Sequence, residues 1–201
     1  MSERTLPYFD ALYAAADDPY GVRARWYEER KRAVLLAALP QHRFRRAYEP
    51  GCGVGELTLA LGARCESLLA SDTAERAVFL ARQRVASLPH VRVELHRLPT
   101  QWPRNEGAFD LIVLSELNYF LEEEAMVELA RCCNDTLAAG GTLVACDWRP
   151  DFEQRCISTD LAHRILSELG LPRLLCHQEE DFLLQVWSRD GRSIAQREGI
   201  R

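Results

Sequence analysis

The run Glu49-Pro50-Gly51-Cys52-Gly53-Val54-Gly55 constrains this chain more than any other stretch. Three alternating glycines stand between a short strand pattern, Arg46 to Glu49, and a helix pattern, Glu56 to Arg64. Glycine lets the backbone turn sharply and lets a ligand approach where a Cβ would otherwise stand. In an open parallel sheet, ligands bind beyond the carboxyl ends of the strands, and the first strand, turn and helix form the floor of that site. The dinucleotide pattern G-x-G-x-x-G does not fit. Counted from Gly51 its third glycine falls on Glu56, and counted from Gly53 it falls on Thr58. A pyrophosphate docks on bare helix N–H groups, which a Glu56 carboxylate opposes. No phosphate loop ending in GKS or GKT occurs either.

The rest of the chain continues the alternation. Ser67 to Asp72, Val91 to Leu98, Phe109 to Ser115 and Thr142 to Cys146 read as strands. Phe109 to Ser115 (FDLIVLS) is nearly continuous in apolar residues, as a strand covered on both faces must be. Ala74 to Ser87, Glu122 to Leu137 and Cys156 to Leu169 read as helices. Leu174 to Gln178 and Asp181 to Ser188 are strands too closely joined for a crossover, so they pair as an antiparallel hairpin. Upstream, residues 1 to 21 read as irregular and aromatic-spotted, with a turn at Asp17 to Gly21. Residues 22 to 39 read as an amphipathic helix ended by Pro40. The expected fold class is α/β: a Rossmann-like, doubly wound, mostly parallel sheet with a C-terminal antiparallel β-hairpin. No linker or repeat interrupts the 201 residues, which suit one domain.

Net charge is −5, so no basic excess is available to neutralise nucleic-acid phosphates. The seven cysteines are odd in number and contain no CxxC pair, which suggests neither a disulfide framework nor a zinc site. They read as reduced thiols of a cytoplasmic protein. The N-terminus lacks an apolar signal core, and no run approaches the roughly 20 apolar residues of a membrane span.

The acid-x-Gly-x-Gly-x-Gly pattern resembles the first motif of class I S-adenosylmethionine methyltransferases, the fold of which carries the same terminal hairpin. That resemblance implies a floor of Gly51, Gly53 and Gly55 under the methionine part of the cofactor, with Glu49 organising the pocket below its amino group. Asp72, 21 residues past Gly51, would accept both ribose hydroxyls, with Thr73 beside it. Ser115 and Glu116 end a segment similar to the family's fourth motif. Where the family often places an acid beside the adenine, this chain has Arg97, followed by Leu98. Shorter segments, Asp18-Pro19-Tyr20, Trp26 to Lys31, Leu98 to Pro103, Ser115 to Phe120, Asp147-Trp148-Arg149 and Asp160 to His163, are similar to the NodS-like branch. That branch is named for a nodulation N-methyltransferase that modifies a chitooligosaccharide amine. By this resemblance residues 1–40 form a helical cap, 41–150 the core, and 151–201 a late helix and hairpin. Tyr20 and Lys31 would close over the cofactor, Lys31 pairing with its methionine carboxylate.

Methyl transfer from a sulfonium mainly requires a neutral nucleophile held in line, with a group nearby to orient it and take its proton. Glu116, Asp147, His163 and Tyr119 are the catalytic candidates; Asn118, Trp148, Arg149 and Asp160 lie nearby in sequence. Asp147 reads equally as a strand-end charge, and His163 as an ordinary helical histidine with a hydrogen-bond partner. The expected acceptor is a small molecule, an amine or amino sugar, with no nucleic acid, membrane or metal involved. An O-methyltransferase and a non-catalytic cofactor-binding protein are the alternatives. A nicotinamide oxidoreductase is disfavoured by the missing G-x-G-x-x-G.

Overall fold

The structure, a computed structural model, describes residues 5–201; the expected cap, 1–40, thus begins with four residues outside the described ones. Seven strands form one sheet in the order β3-β2-β1-β4-β5-β7-β6. The parallel part comprises β1 (Phe44–Pro50), β2 (Cys65–Asp72), β3 (Val91–Leu95), β4 (Phe109–Ser115) and β5 (Leu137–Trp148). The hairpin strands β6 (Arg173–Gln178) and β7 (Phe182–Ser188) are antiparallel, and β7 inserts against β5. The expected doubly wound, mostly parallel sheet with a terminal hairpin is therefore present.

Five residues of β4 are fully buried because both of its faces are covered. On one side Leu114, Ile112 and Trp187 pack under α5 (Glu123–Thr136) and α6 (Thr159–Ser167). On the other, Leu111, Val113 and Phe182 pack under α2 (Trp26–Ala38) and α3 (Glu56–Gly62). Truncating one such leucine to alanine costs about 2–5 kcal/mol, since the packed surroundings relax only in part.

Several boundaries differ from the sequence reading; the helix read as Ala74 to Ser87 ends at Arg84, and the one read from Cys156 starts at Thr159. Residues 5 to 15, read as irregular, form a helix, α1 (Thr5–Ala15), whose Phe9 and Tyr13 pack with Ala74, Ala77 and Leu80 around α4 (Glu75–Arg84). Helix α2 begins at Trp26 instead of residue 22, because the Asp18 carboxylate accepts from Val22 N at 2.9 Å and Arg23 N at 3.0 Å and keeps that segment a turn. Strand β3 stops at Leu95, three residues early, where the chain turns from the sheet before Pro99. Strand β5 begins at Leu137 instead of Thr142, and its register against β4 shifts between Phe109↔Leu137 and Leu111↔Thr142. Gly140, at φ +75°, sits in that bulge.

Strand order reverses between β1 and β4, the position where such sheets open a crevice beyond their carboxyl ends.

Candidate active site

A cavity of about 630 Å³ occupies that crevice. Its size lies within the range of about 300–1,000 Å³ usual for small-molecule sites. Its floor is the loop between β1 and α3. Gly51 and Gly53 both have left-handed φ, +72° and +54°, and both line the cavity. Gly55 also has φ +83°, but a Cβ there would lie 3.0 Å from the Ala81 backbone. It serves the packing of α3 on α4 and is absent from the cavity wall.

Two acids anchor the floor. Asp72, at the end of β2, accepts from Gly53 N at 2.9 Å and Ala74 N at 3.0 Å, so its carboxylate ties the glycine loop to the start of α4. Burial raises its proton affinity, against those backbone hydrogen bonds. Glu49, at the end of β1, is 2% exposed, and its Oε2 is buried without a protein partner. Burial pushes its carboxyl from 4.5 up to about 8. Thr73 and Ser115 complete this half, and the Thr73 hydroxyl is likewise buried without a partner.

The other half is built around Glu116. This residue follows β4 in a left-handed conformation, φ +55°, which costs a non-glycine residue free energy and aims its carboxylate into the cavity. Three donors hold it. Lys31 Nζ donates to Oε1 at 2.6 Å, Trp148 N to Oε2 at 3.1 Å, and the Tyr119 hydroxyl also to Oε2. Burial raises the Glu116 carboxyl, with the Lys31 charge opposing. Burial likewise raises the Tyr119 phenol, which therefore keeps its proton and stays a donor. Lys31 is buried too, but Glu116 and Glu28 outweigh that burial and raise its ammonium. The wall around this centre is aromatic: Tyr8, Tyr20, Tyr27, Trp148 and Phe152.

The sequence-predicted residues thus divide. Tyr20, Lys31, Glu49, Gly51, Gly53, Asp72, Thr73, Leu98, Ser115, Glu116 and Tyr119 share one cavity. Lys31, expected to pair with a ligand carboxylate, is clamped between Glu28 and Glu116 at 3.0 and 2.6 Å. Asp147 and His163 lie behind the wall, 0% and 2% exposed. His163 Nε2 is 3.0 Å from Asp147 Oδ2, which also accepts from Asn118 Nδ2 at 2.6 Å, and His163 Nδ1 faces Gln185 Oε1 at 2.9 Å. This array fastens the turn Asn118–Phe120, and with it Tyr119, to β5, α6 and β7. Arg97 is exposed and off the wall, because its backbone is tied into the turn that Gln101 and Thr100 close. Arg149 donates to the Glu179 carbonyl at 2.7 Å, and Asp160 is exposed on the first turn of α6.

Several wall residues carry no signal in the sequence. Tyr8, Phe9 and Tyr13 come from α1, whose buried face is set by contact with α4. Glu28 reads as one more charge on a helix surface, and His96 as a neighbour of the position where an acid was sought. Phe152 and Gln154 lie on the loop before α6, ordered by the Arg155 guanidinium, which donates to the Trp148 and Pro150 carbonyls at 2.9 Å and stacks on Tyr119.

A methyltransferase-domain model matches residues 47–141. Nodulation protein S of Sinorhizobium fredii is 33% identical over 120 residues, 58% of this chain and 53% of that protein. Nodulation protein S of Rhizobium tropici is 33% identical over 132 residues, 65% of this chain and 55% of that one. The chain thus spans about half the length of these curated relatives. Among solved structures, one from Pseudomonas syringae, assigned as a methyltransferase, is 49% identical, covers 82% of this chain and 100% of its own, and superposes with a TM-score of 0.74. The N-methyltransferase NodS of Bradyrhizobium japonicum, in complex with S-adenosyl-L-homocysteine, is 26% identical with a TM-score of 0.80, covering 93% of this chain and 97% of its own.

Proposed function

We infer the activity from one premise: this chain belongs to the methyltransferase-domain family. It is an S-adenosylmethionine-dependent methyltransferase of a small molecule, and its acceptor atom is an amine nitrogen. The observation that carries the cofactor is the unpartnered Glu49 Oε2 buried in the cavity wall beside Gly51 and Gly53. An amino group is the ligand group that satisfies such an oxygen, since an orphaned buried acceptor is costly. The Asp72 carboxylate suits vicinal hydroxyls, because carboxylate oxygens accept several hydrogen bonds at once.

When bound, the cofactor supplies an activated methyl group and its leaving group. The chain's own residues supply position. Glu116 has four lone-pair sites and three protein donors, so one site is left for an acceptor N–H. That hydrogen bond aims the nitrogen lone pair and gives its proton a destination, and holding reactants in line supplies several kcal/mol. Tyr119 and Lys31 keep the carboxylate aimed. Tyr20, Tyr27 and Trp148 make the wall there aromatic, which favours an amine that gains positive charge as it is methylated. Asp147 and His163 act from behind, through Asn118 and Tyr119. Amino sugars are the first acceptors to screen, the nodulation relatives being the support for that choice.

Calorimetric titration with S-adenosylhomocysteine tests the cofactor, with NADH as the control. Micromolar binding of the first and none of the second is expected. Asp72→Ala weakens binding by about 1–3 kcal/mol, the cost of losing hydrogen bonds to a charged acceptor. A folded wild type that ignores S-adenosylhomocysteine overturns the reading.

A further inference from the structure

Among the described residues, the segment after β3 puts no acidic side chain on the cavity wall that could read an exocyclic amine. Beside Asp72, the ribose end of the site, the wall is made by His96 and Leu98 from the segment after β3. His96 N donates to the Asp72 carbonyl at 2.9 Å, which fixes it one step from the ribose carboxylate. The acids and bases nearby are turned elsewhere: Glu94 and Arg97 are both off the cavity wall.

Both nitrogens of the His96 ring face protein groups. Its Nδ1 lies 3.3 Å from the Tyr48 hydroxyl, which in turn meets Ser71 Oγ at 2.8 Å. Its Nε2 lies 3.3 Å from Glu94 Oε2. Both edge nitrogens are thus engaged by the protein, while the side chain, 14% exposed, remains part of the cavity wall. Tyr48 itself packs edge-on to Trp102 and stacked on Phe109. A ring pinned at both edges presents its face, and a flat aromatic ligand packs on such a face in an offset or edge-on arrangement.

We propose that His96 is the base-binding residue of this site, holding the adenine ring against its imidazole face, and that Arg97 takes no part. The assignment rests on the cofactor reading above. It gives the chain a way to hold the base by shape where the acid is missing, with Leu98 as the second apolar surface.

The test is calorimetry on four proteins: wild type, His96→Ala, His96→Phe and Arg97→Ala. The probes are S-adenosylhomocysteine and 5′-methylthioadenosine, which keeps the base and ribose and lacks the amino-acid end. His96→Ala is expected to weaken both probes about tenfold, the scale of one lost aromatic contact. His96→Phe keeps a ring face and stays within about threefold of wild type. Arg97→Ala changes neither probe. Wild-type-like binding by a folded His96→Ala overturns the proposal, as does a loss confined to S-adenosylhomocysteine or one produced by Arg97→Ala. If His96→Ala does not fold, a His96→Phe that loses affinity as severely as Asp72→Ala overturns it as well. Failure of the wild type to bind either probe is a different result and sinks the cofactor reading itself.

Discussion

Glu49 shows how a single side chain can be built for a partner that the protein does not itself contain. Its carboxyl titrates near 8 in the fold, against 4.5 ordinarily, because burial disfavours the charge by more than the Thr58 hydroxyl favours it. The sign follows from proton counting. Between pH 4.5 and 8 the folded chain holds this proton and the unfolded chain does not, so stability falls as pH rises through that window. Glu49→Gln removes this share of the dependence and leaves that of Asp72 and Glu116. The variant is therefore expected to melt with the wild type near pH 4.5 and several degrees above it near pH 8.5, without ligand, by calorimetric scanning. Equal melting temperatures at the higher pH refute the account. The same proton leaves when an ammonium group arrives, so the variant gains stability by giving up the group that recognises the ligand.

At the scale of elements, the parallel core and the helices α2 to α6 were legible and α1 was not. The glycine run, the FDLIVLS strand and the short tail connection each carry a local signature, and β1, β4 and the β6–β7 hairpin stand where those signatures put them. Helix α1 has no such signature, since its buried face is two aromatics that matter only because α4 lies beneath them. Gly55 was legible as a glycine but not as to purpose: a packing contact with Ala81 and a ligand contact demand the same residue. Asp147 and His163 were legible as a pair of functional residue types, and only the fold shows that they join four elements from behind the cavity. His163→Ala leaves Asp147, which is fully buried, short of a donor, and breaking such a pair costs about 3–5 kcal/mol. Urea denaturation is expected to show that loss. A midpoint within error of the wild type contradicts it.

Across the whole molecule, α2 adds to its core packing two ion pairs from neighbouring residues that face different surroundings. Lys31 enters the cavity, whereas Arg30 lies outside and grips Glu179, on the hairpin turn, with two hydrogen bonds of 2.7 and 2.8 Å. Arg30 and then His177 hold the Glu179 carboxyl down to about 2, so the outer clasp is charged across the neutral range. The inner tie is shielded from solvent ions, while the outer one is exposed to them and is screened over about 10 Å at 0.1 M salt. The two ties therefore respond differently to salt, the outer one weakening as ionic strength rises. Arg30→Ala should accordingly lower the melting temperature in calorimetric scanning more at about 0.05 M than at about 1 M salt, and an equal loss at both refutes the account. The hairpin that completes the sheet thus also gives α2 an outer mooring, one whose grip the surrounding electrolyte sets.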